Sequence, residues 1–219
     1  MFKSRRVLDF SAGWGDRLVG CLAAGVDSYV AYDPNIALRK GHQEILSLFA
    51  TPERQRCFQI HYVGFEAAKI TPNSFDLIFT SPPFFDFEIY TSLPGQSVDL
   101  YPKFDDWVVK FLTCSIKRAW EGLVEEGHAV IHLTDVSSKE NVCERLCLLL
   151  LWLIPNLVYR GVICSQGKAE RARPLWVFQK RGLMKSEEEV IKRHAEPELR
   201  KNYPETHRVA TEFFFQEKK

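Results

Sequence analysis

Apolar residues occur in short runs, separated by glycine, proline and polar clusters, and the spacing within the runs alternates between strand-like and helix-like. Val7-Leu8-Asp9-Phe10 reads as a short strand entering a glycine turn. Asp16 is placed to cap a helix over 17–24, and Gly25 to end it. Tyr29-Val30-Ala31-Tyr32 forms a second buried strand, and Pro34-Asn35 starts a helix over 36–49. Phe58–Val63 and Phe75–Phe79 are the third and fourth strands. Over 104–123, Val108, Phe111, Leu112, Ile116, Ala119 and Leu123 share one helical face. Ala129–Leu133 is a fifth strand, Asn141–Ile154 a largely apolar helix, and Leu157–Cys164 with Leu175–Gln179 a late pair of strands.

Strands alternating with helices at this spacing predict an α/β fold, a mostly parallel sheet with helices on both faces. The composition changes after Gly182. Residues 1–183 are therefore expected as one domain. Residues 184–219 are expected as a charged C-terminal tail, helical over 185–205, that faces solvent or a partner.

A chain of 219 residues with 46% apolar content can bury one full core. The net charge of +1 gives no whole-molecule argument for nucleic acid or membrane, though local patches remain open. The six cysteines (Cys21, Cys57, Cys114, Cys143, Cys147, Cys164) contain no Cys-x-x-Cys pair and sit mostly inside apolar runs. They read as reduced core thiols of an intracellular protein, and no metal is implied. The first residues carry no apolar signal core, and the run Leu146–Ile154 is too short to span a bilayer.

The first chemical signal follows the first strand. Ser11-Ala12-Gly13-Trp14-Gly15 is a Gly-x-Gly turn leading into a helix. Glycines let backbone approach a ligand closely, and a helix N-terminus favours a carboxylate or phosphate. Asp33 lies 20 residues beyond Gly13, at the end of the second strand, where a carboxylate can accept from both hydroxyls of a ribose. Leu18 stands where a dinucleotide fingerprint has its third glycine, which argues against a nicotinamide or flavin. A ligand with a carboxylate and a single nucleoside fits better, and S-adenosylmethionine is such a ligand. At the end of the third strand, Phe65 can pack on its adenine and Glu66 can accept from the adenine amino group.

The second signal is Ser81-Pro82-Pro83-Phe84, directly after the fourth strand. An exocyclic amino group on a nucleobase is a poor nucleophile, because its lone pair is delocalised into the ring. Acceptors for both N–H groups free that lone pair. The Ser81 side chain and the Pro82 carbonyl can serve, since proline has no N–H to compete and its fixed φ holds the carbonyl in place. Phe84 can stack on the base. Such a site acts by positioning and fixed polarity rather than by a strong base.

Asp-x-Ser-Ala-Gly-Trp-Gly-Asp-Arg at 9–17 together with Thr-Ser-Pro-Pro-Phe-Phe-Asp at 80–86 resembles the class I S-adenosylmethionine-dependent methyltransferases. Within them it is similar to the amino-methyltransferases of nucleic acids, and the longer strings resemble a phage and large-virus type of adenine methylase. The resemblance covers residues 5–182. It implies a Rossmann-like, seven-stranded sheet with an antiparallel last strand. It also implies donor binding by Asp9, Gly13, Gly15 and Asp33, with Ser11, Trp14, Arg17 and Pro34 beside them, and catalysis at Ser81, Pro82, Pro83 and Phe84. Serine at the first motif position is commoner in cytosine N4 enzymes, whereas the motif order favours adenine N6, so both bases stay open. In the family a helical segment before the first strand helps cover the donor. Here about six residues precede it, so Arg17, the loop after Phe84, a missing N-terminal segment or a partner chain is expected to do that work.

Residues 85–103 are long for a connection, which marks a candidate lid. Phe85, Glu88, Tyr90, Gln96 and Tyr101 are its candidates for holding the target in DNA or RNA. Lys168, Arg171 and Arg173 can meet phosphates or form a solvated hairpin tip, and His132, ending the fifth strand, reads as structural. Two readings compete with adenine or cytosine methylation: a methyltransferase acting on guanine N2 or a protein glutamine, and a catalytically silent methyltransferase-like subunit.

Overall fold

The computed structural model describes residues 3–91, 94–135, 140–166 and 172–216. Its elements follow the expected alternation. β1 (Arg6–Asp9) leads to α1 (Asp16–Ala24), β2 (Ser28–Tyr32), α2 (Arg39–Phe49), α3 (Pro52–Gln55), β3 (Phe58–His61) and β4 (Phe75–Thr80). α4 (Ser97–Leu100), α5 (Phe104–Asp106), a π-helical segment (Trp107–Thr113), α6 (Cys114–Gly122), β5 (Leu123–His132) and α7 (Val142–Leu153) follow. β6 (Leu157–Gln166), β7 (Ala172–Lys180), α8 (Lys185–Asn202) and α9 (Pro204–Phe215) complete the chain. Among the described residues no helix is long and apolar enough to cross a membrane.

The seven strands form one sheet in the order β3-β2-β1-β4-β5-β7-β6, and β7 runs antiparallel to both neighbours. The order reverses between β1 and β4, which pair in parallel through Val7–Leu77 and Leu8–Ile78. A reversal of this kind opens a crevice at the carboxyl ends of the two strands. The glycine turn after β1 and the Ser-Pro-Pro stretch after β4 therefore emerge side by side. Neighbouring residues of β1 point to opposite faces. Val7 packs with Leu18, Cys21, Leu22 and Tyr29 under α1 and α2, while Leu8 joins Ile78, Ala129, Ile131 and the helices from α6 to α9.

Three expectations are corrected. Asp16 does not cap α1 but is its first residue. Gly15 occupies the cap position in the left-handed region, and no side chain caps the end. The helix over 104–123 is not uniformly α. Residues 107–113 are wound with i→i+5 bonds, which bury Trp107, Val108, Val109, Phe111, Leu112 and Thr113 almost all round. The charged segment after Gly182 is helical, but it does not stand away from the sheet domain. Ala195, Leu199, Tyr203, Val209 and Ala210 are buried in the same cluster as α7 and the π-helical segment. Arg145 of α7 fastens this layer. It donates to Asp105 and Thr206 at 2.8 Å each and lies over the rings of Phe104 and Tyr203.

All six cysteines are free. Cys21 and Cys143 are buried as expected, whereas Cys57 and Cys164 are exposed. Burial pushes the Cys21 and Cys147 thiols up to about 12, which makes them inert at neutral pH.

Candidate active site

The crevice is built over one buried carboxylate. Asp9 is 0% exposed and accepts from Ser11 N–H (3.1 Å), Thr80 Oγ1 (2.9 Å), Arg17 Nε (2.7 Å) and Tyr29 Oη (2.8 Å). It ties β1, β2, β4 and α1 together beneath the cavity floor and is not itself among the lining residues. Burial works against the charge on Arg17, but the Asp9 carboxylate offsets this, and the guanidinium stays above its usual pKa. Arg17 also donates to the Ser11 carbonyl.

The turn above Asp9 needs its glycines. Gly13 and Gly15 have φ of 59° and 103°, and a Cβ on Gly15 would lie 2.7 Å from Ile45 Cδ1. His42 of α2, 1% exposed, supports the turn from below. Its Nε2 is 2.8 Å from the Gly13 carbonyl, which can only accept, so Nε2 carries a proton, and Nδ1 lies 3.0 Å from Tyr62 Oη.

Asp33, at the end of β2, accepts Gly13 N–H on one oxygen and Asn35 N–H on the other, each at 2.9 Å. Burial raises its pKa, and the two backbone donors only partly counter this. Each carboxylate oxygen keeps a lone-pair site for a further donor. Phe65 stacks on Phe10 at 5.4 Å between centroids and meets Tyr32 edge-on at 5.0 Å. The Glu66 carboxylate folds back over Gly64, where a Cβ would come within 2.7 Å of it.

These groups line a cavity of about 200 Å³. From the ends of β1, β2 and β3 the lining includes Ser11, Gly13, Trp14, Arg17, Asp33, Pro34, Phe65 and Glu66. Trp14 is 69% exposed at the mouth, and Gly15 is buried and does not line the cavity. After β4 the lining is Ser81, Pro83 and Phe85. Pro82 is buried and Phe84 half-buried, and neither lines the cavity. Phe84 instead meets the His132 ring edge-on, with centroids 5.6 Å apart. Phe85 takes the inward place with a left-handed φ of 48°, wedged against Phe104 and Trp107. A bulky residue in that region stores roughly 1–3 kcal/mol of strain.

Described residues of the 85–103 stretch lie over the opening. Glu88, Tyr90, Gly95, Gln96, Ser97 and Val98 line the cavity from above. Gln96 binds the loop to itself, accepting from Tyr90 N–H at 2.9 Å and donating to the Thr91 carbonyl at 2.8 Å. Tyr90 Oη donates to Glu88, and Trp107 Nε1 donates to Ser97 Oγ at 2.9 Å, which fixes α4 to the core. Tyr101 is half-buried against the core and does not line the cavity.

Ser81 Oγ lies 3.0 Å from His132 Nδ1. Burial, with the charges of Arg173 and Arg17, lowers the His132 pKa, and Glu88 acts weakly the other way. Arg173 is exposed on β7, while Lys168 and Arg171 lie outside the described residues. Sequence reasoning missed His42, Tyr62, Tyr29 and Thr80. Only His42 left a sign, as a histidine standing among apolar positions of an amphipathic helix.

No family model matches the chain, and no curated protein matches it. Solved structures do. Residues 942–1257 of StiE, described as an O-MT, superpose with a TM-score of 0.57 at 10% identity, covering 89% of this chain and 73% of that one. TrmN from Thermus thermophilus gives 0.54 at 14% identity, covering 80% of this chain and 44% of TrmN. SMU.1697c from Streptococcus mutans, provisionally described as a methyltransferase and solved in complex with SAH, gives 0.51 at 14%, covering 80% and 88%. At these identities the likeness is one of fold, and the fold is that of class I methyltransferases.

Proposed function

We propose that the chain is an S-adenosylmethionine-dependent methyltransferase acting on the exocyclic amino group of a nucleobase in DNA or RNA, adenine N6 by preference. The observation that supports this reading is a shared wall. One cavity is lined by Gly13, Asp33 and Glu66 on one side and by Ser81, Pro83 and Phe85 on the other.

The donor-side residues fit a nucleoside with a carboxylate. The Asp33 oxygens keep acceptor sites for two ribose hydroxyls, and Phe65 offers an aromatic edge beside Glu66. Arg17 and the backbone at the α1 N-terminus favour an anion. When bound, the donor supplies a methyl group on a positively charged sulfur. The chain's own residues orient the acceptor: Ser81 accepts from the amino N–H groups, the rigid prolines hold the backbone still, and Phe85 packs on the ring. Gln96 and Tyr90 close the loop over the cavity and exclude water. A base in a duplex has to be flipped out to reach Ser81, whereas a single strand avoids that cost. The preference for adenine rests on the order of the two motifs.

The test is a labelled-donor assay against DNA, RNA and protein pools, followed by mass spectrometry of the nucleosides. N6-methyladenine is the expected product. N4-methylcytosine would shift the base but keep the reaction. Label in protein alone, or no label and no donor binding by calorimetry, rejects the nucleobase reading.

A further inference from the structure

We infer that His132 is a positioning residue for methyl transfer: it takes the Ser81 hydroxyl proton at Nδ1, so that Ser81 faces the target amine with both lone pairs free. The inference rests on the proposed amino-group chemistry. His132 ends β5 one strand away from Ser81, and the 3.0 Å contact is between side chains 51 residues apart. The ring is held edge-on to Phe84, and among the described residues its buried Nε2 has no hydrogen-bond partner. Among the described residues its polar contact is with Ser81. This gives Phe84 a task other than stacking on a base, since it fixes the imidazole that fixes the serine.

Acceptance of a methyl group obliges the amine to lose a proton. As the methyl group passes from sulfur to nitrogen, one amine N–H bond breaks. Its proton goes to Ser81 Oγ while the serine proton moves to His132 Nδ1. The imidazolium then returns the proton to water. For this relay the resting ring has to be neutral. Burial and the charges of Arg173 on β7 and Arg17 on α1 lower its pKa and so favour the neutral form, while among the described residues Glu88 in the loop after β4 acts in the opposite sense.

Two measurements decide the matter. Nitrogen NMR of the whole protein is expected to show His132 protonated at Nε2, with the Nδ1 signal moving in Ser81→Ala. The pH profile of kcat is expected to fall on the acid side below 6.5, the ordinary histidine value. His132→Gln keeps an acceptor for Ser81 but cannot carry a proton. It should lower kcat about 100-fold, the scale of one acid–base group, leave the KM for donor unchanged, and flatten the acid limb. Glu88→Gln should keep that limb at whatever rate it has. A proton on Nδ1, an acid limb that survives in His132→Gln, or one that disappears in Glu88→Gln overturns the inference. If the wild type methylates no nucleobase, the proposed function falls separately, and the NMR result alone then upholds or overturns the Ser81–His132 arrangement.

Discussion

Asp33 holds the backbone N–H of Gly13 at 2.9 Å, so the acid that ends β2 also shapes the turn that leaves β1. One carboxylate thereby ties the end of β2 to the turn after β1. Asp33→Ala removes two ribose acceptors and frees the turn. Charge-assisted hydrogen bonds contribute about 1.5–3 kcal/mol each, so calorimetry should show at least about a 100-fold loss of donor affinity. Unchanged affinity would mean the nucleoside sits elsewhere.

The same group sets a pH dependence. Burial raises the Asp33 pKa above its ordinary 3.8. Protonation turns one Asp33 oxygen into a donor, so only the ionised form accepts from both ribose hydroxyls as well as from Gly13 and Asn35, and donor affinity should fall as pH drops through the raised value. For the donor-free fold the sign is opposite: this group's contribution to stability is present below 3.8 and lost as pH rises through the folded pKa. Affinity titrated from pH 7 to 4 in wild type and Asp33→Asn checks the first half, since Asp33→Asn should show no such fall.

Gly15 and Gly25 both have positive φ, but they meet different surroundings. A Cβ on Gly15 collides with Ile45, whereas nothing lies within 4 Å of one on Gly25. Gly15→Ala should cost about 2–3 kcal/mol in unfolding free energy and weaken donor binding, while Gly25→Ala should cost about 1 kcal/mol and leave binding alone. Equal melting points for the two variants would contradict this.

Phe84→Ala should leave donor binding nearly intact and lower turnover through His132. Phe85→Ala removes the ring that lines the cavity. Aromatic stacking on a base is worth about 1–3 kcal/mol, so kcat/KM should fall roughly 10- to 100-fold. Loss of donor binding in Phe84→Ala would show that the two halves of the cavity are wrongly divided.

The C-terminal layer should be indispensable to the fold. Arg145→Met leaves Asp105 with Thr206 as its remaining donor, and losing the charge-assisted bond should cost about 1.5–3 kcal/mol. Deletion of 184–216 uncovers Ala195's and Leu199's partners on α7, and cooperative denaturant unfolding should disappear. A deleted chain that still unfolds cooperatively would instead restore the tail as a separate segment.

Much of this was legible in the chain. Strand and helix periods gave the sheet, because buried strands and amphipathic helices advertise themselves locally. The two motifs meet in one cavity because the strand order reverses between β1 and β4, which the alternation of strands and helices does not by itself dictate. The supports were not legible. Tyr29, Thr80 and His42 act through hydrogen bonds to residues 20 to 71 positions away, and nothing beside them in sequence marks the partner. Phe84 and Phe85 were indistinguishable as neighbours, since a left-handed φ at Phe85 decides which ring turns inward. The last helices were misjudged on charge. Their buried positions Ala195, Leu199, Thr206 and Ala210 do recur at helical intervals, but a high charge content outweighed that thin stripe.

The π-wound segment over Trp107–Thr113 makes the cavity sensitive to insertion and deletion at a distance. Its extra residue per turn turns Trp107 toward Ser97 while Phe111 reaches the cavity wall. Loss of a single residue there would rewind the segment as ordinary α-helix and rotate everything before it by about 100°. The roof over the cavity would come loose with its tip and floor unchanged in sequence. Length, rather than the identity of any side chain, is what that part of the chain has to preserve.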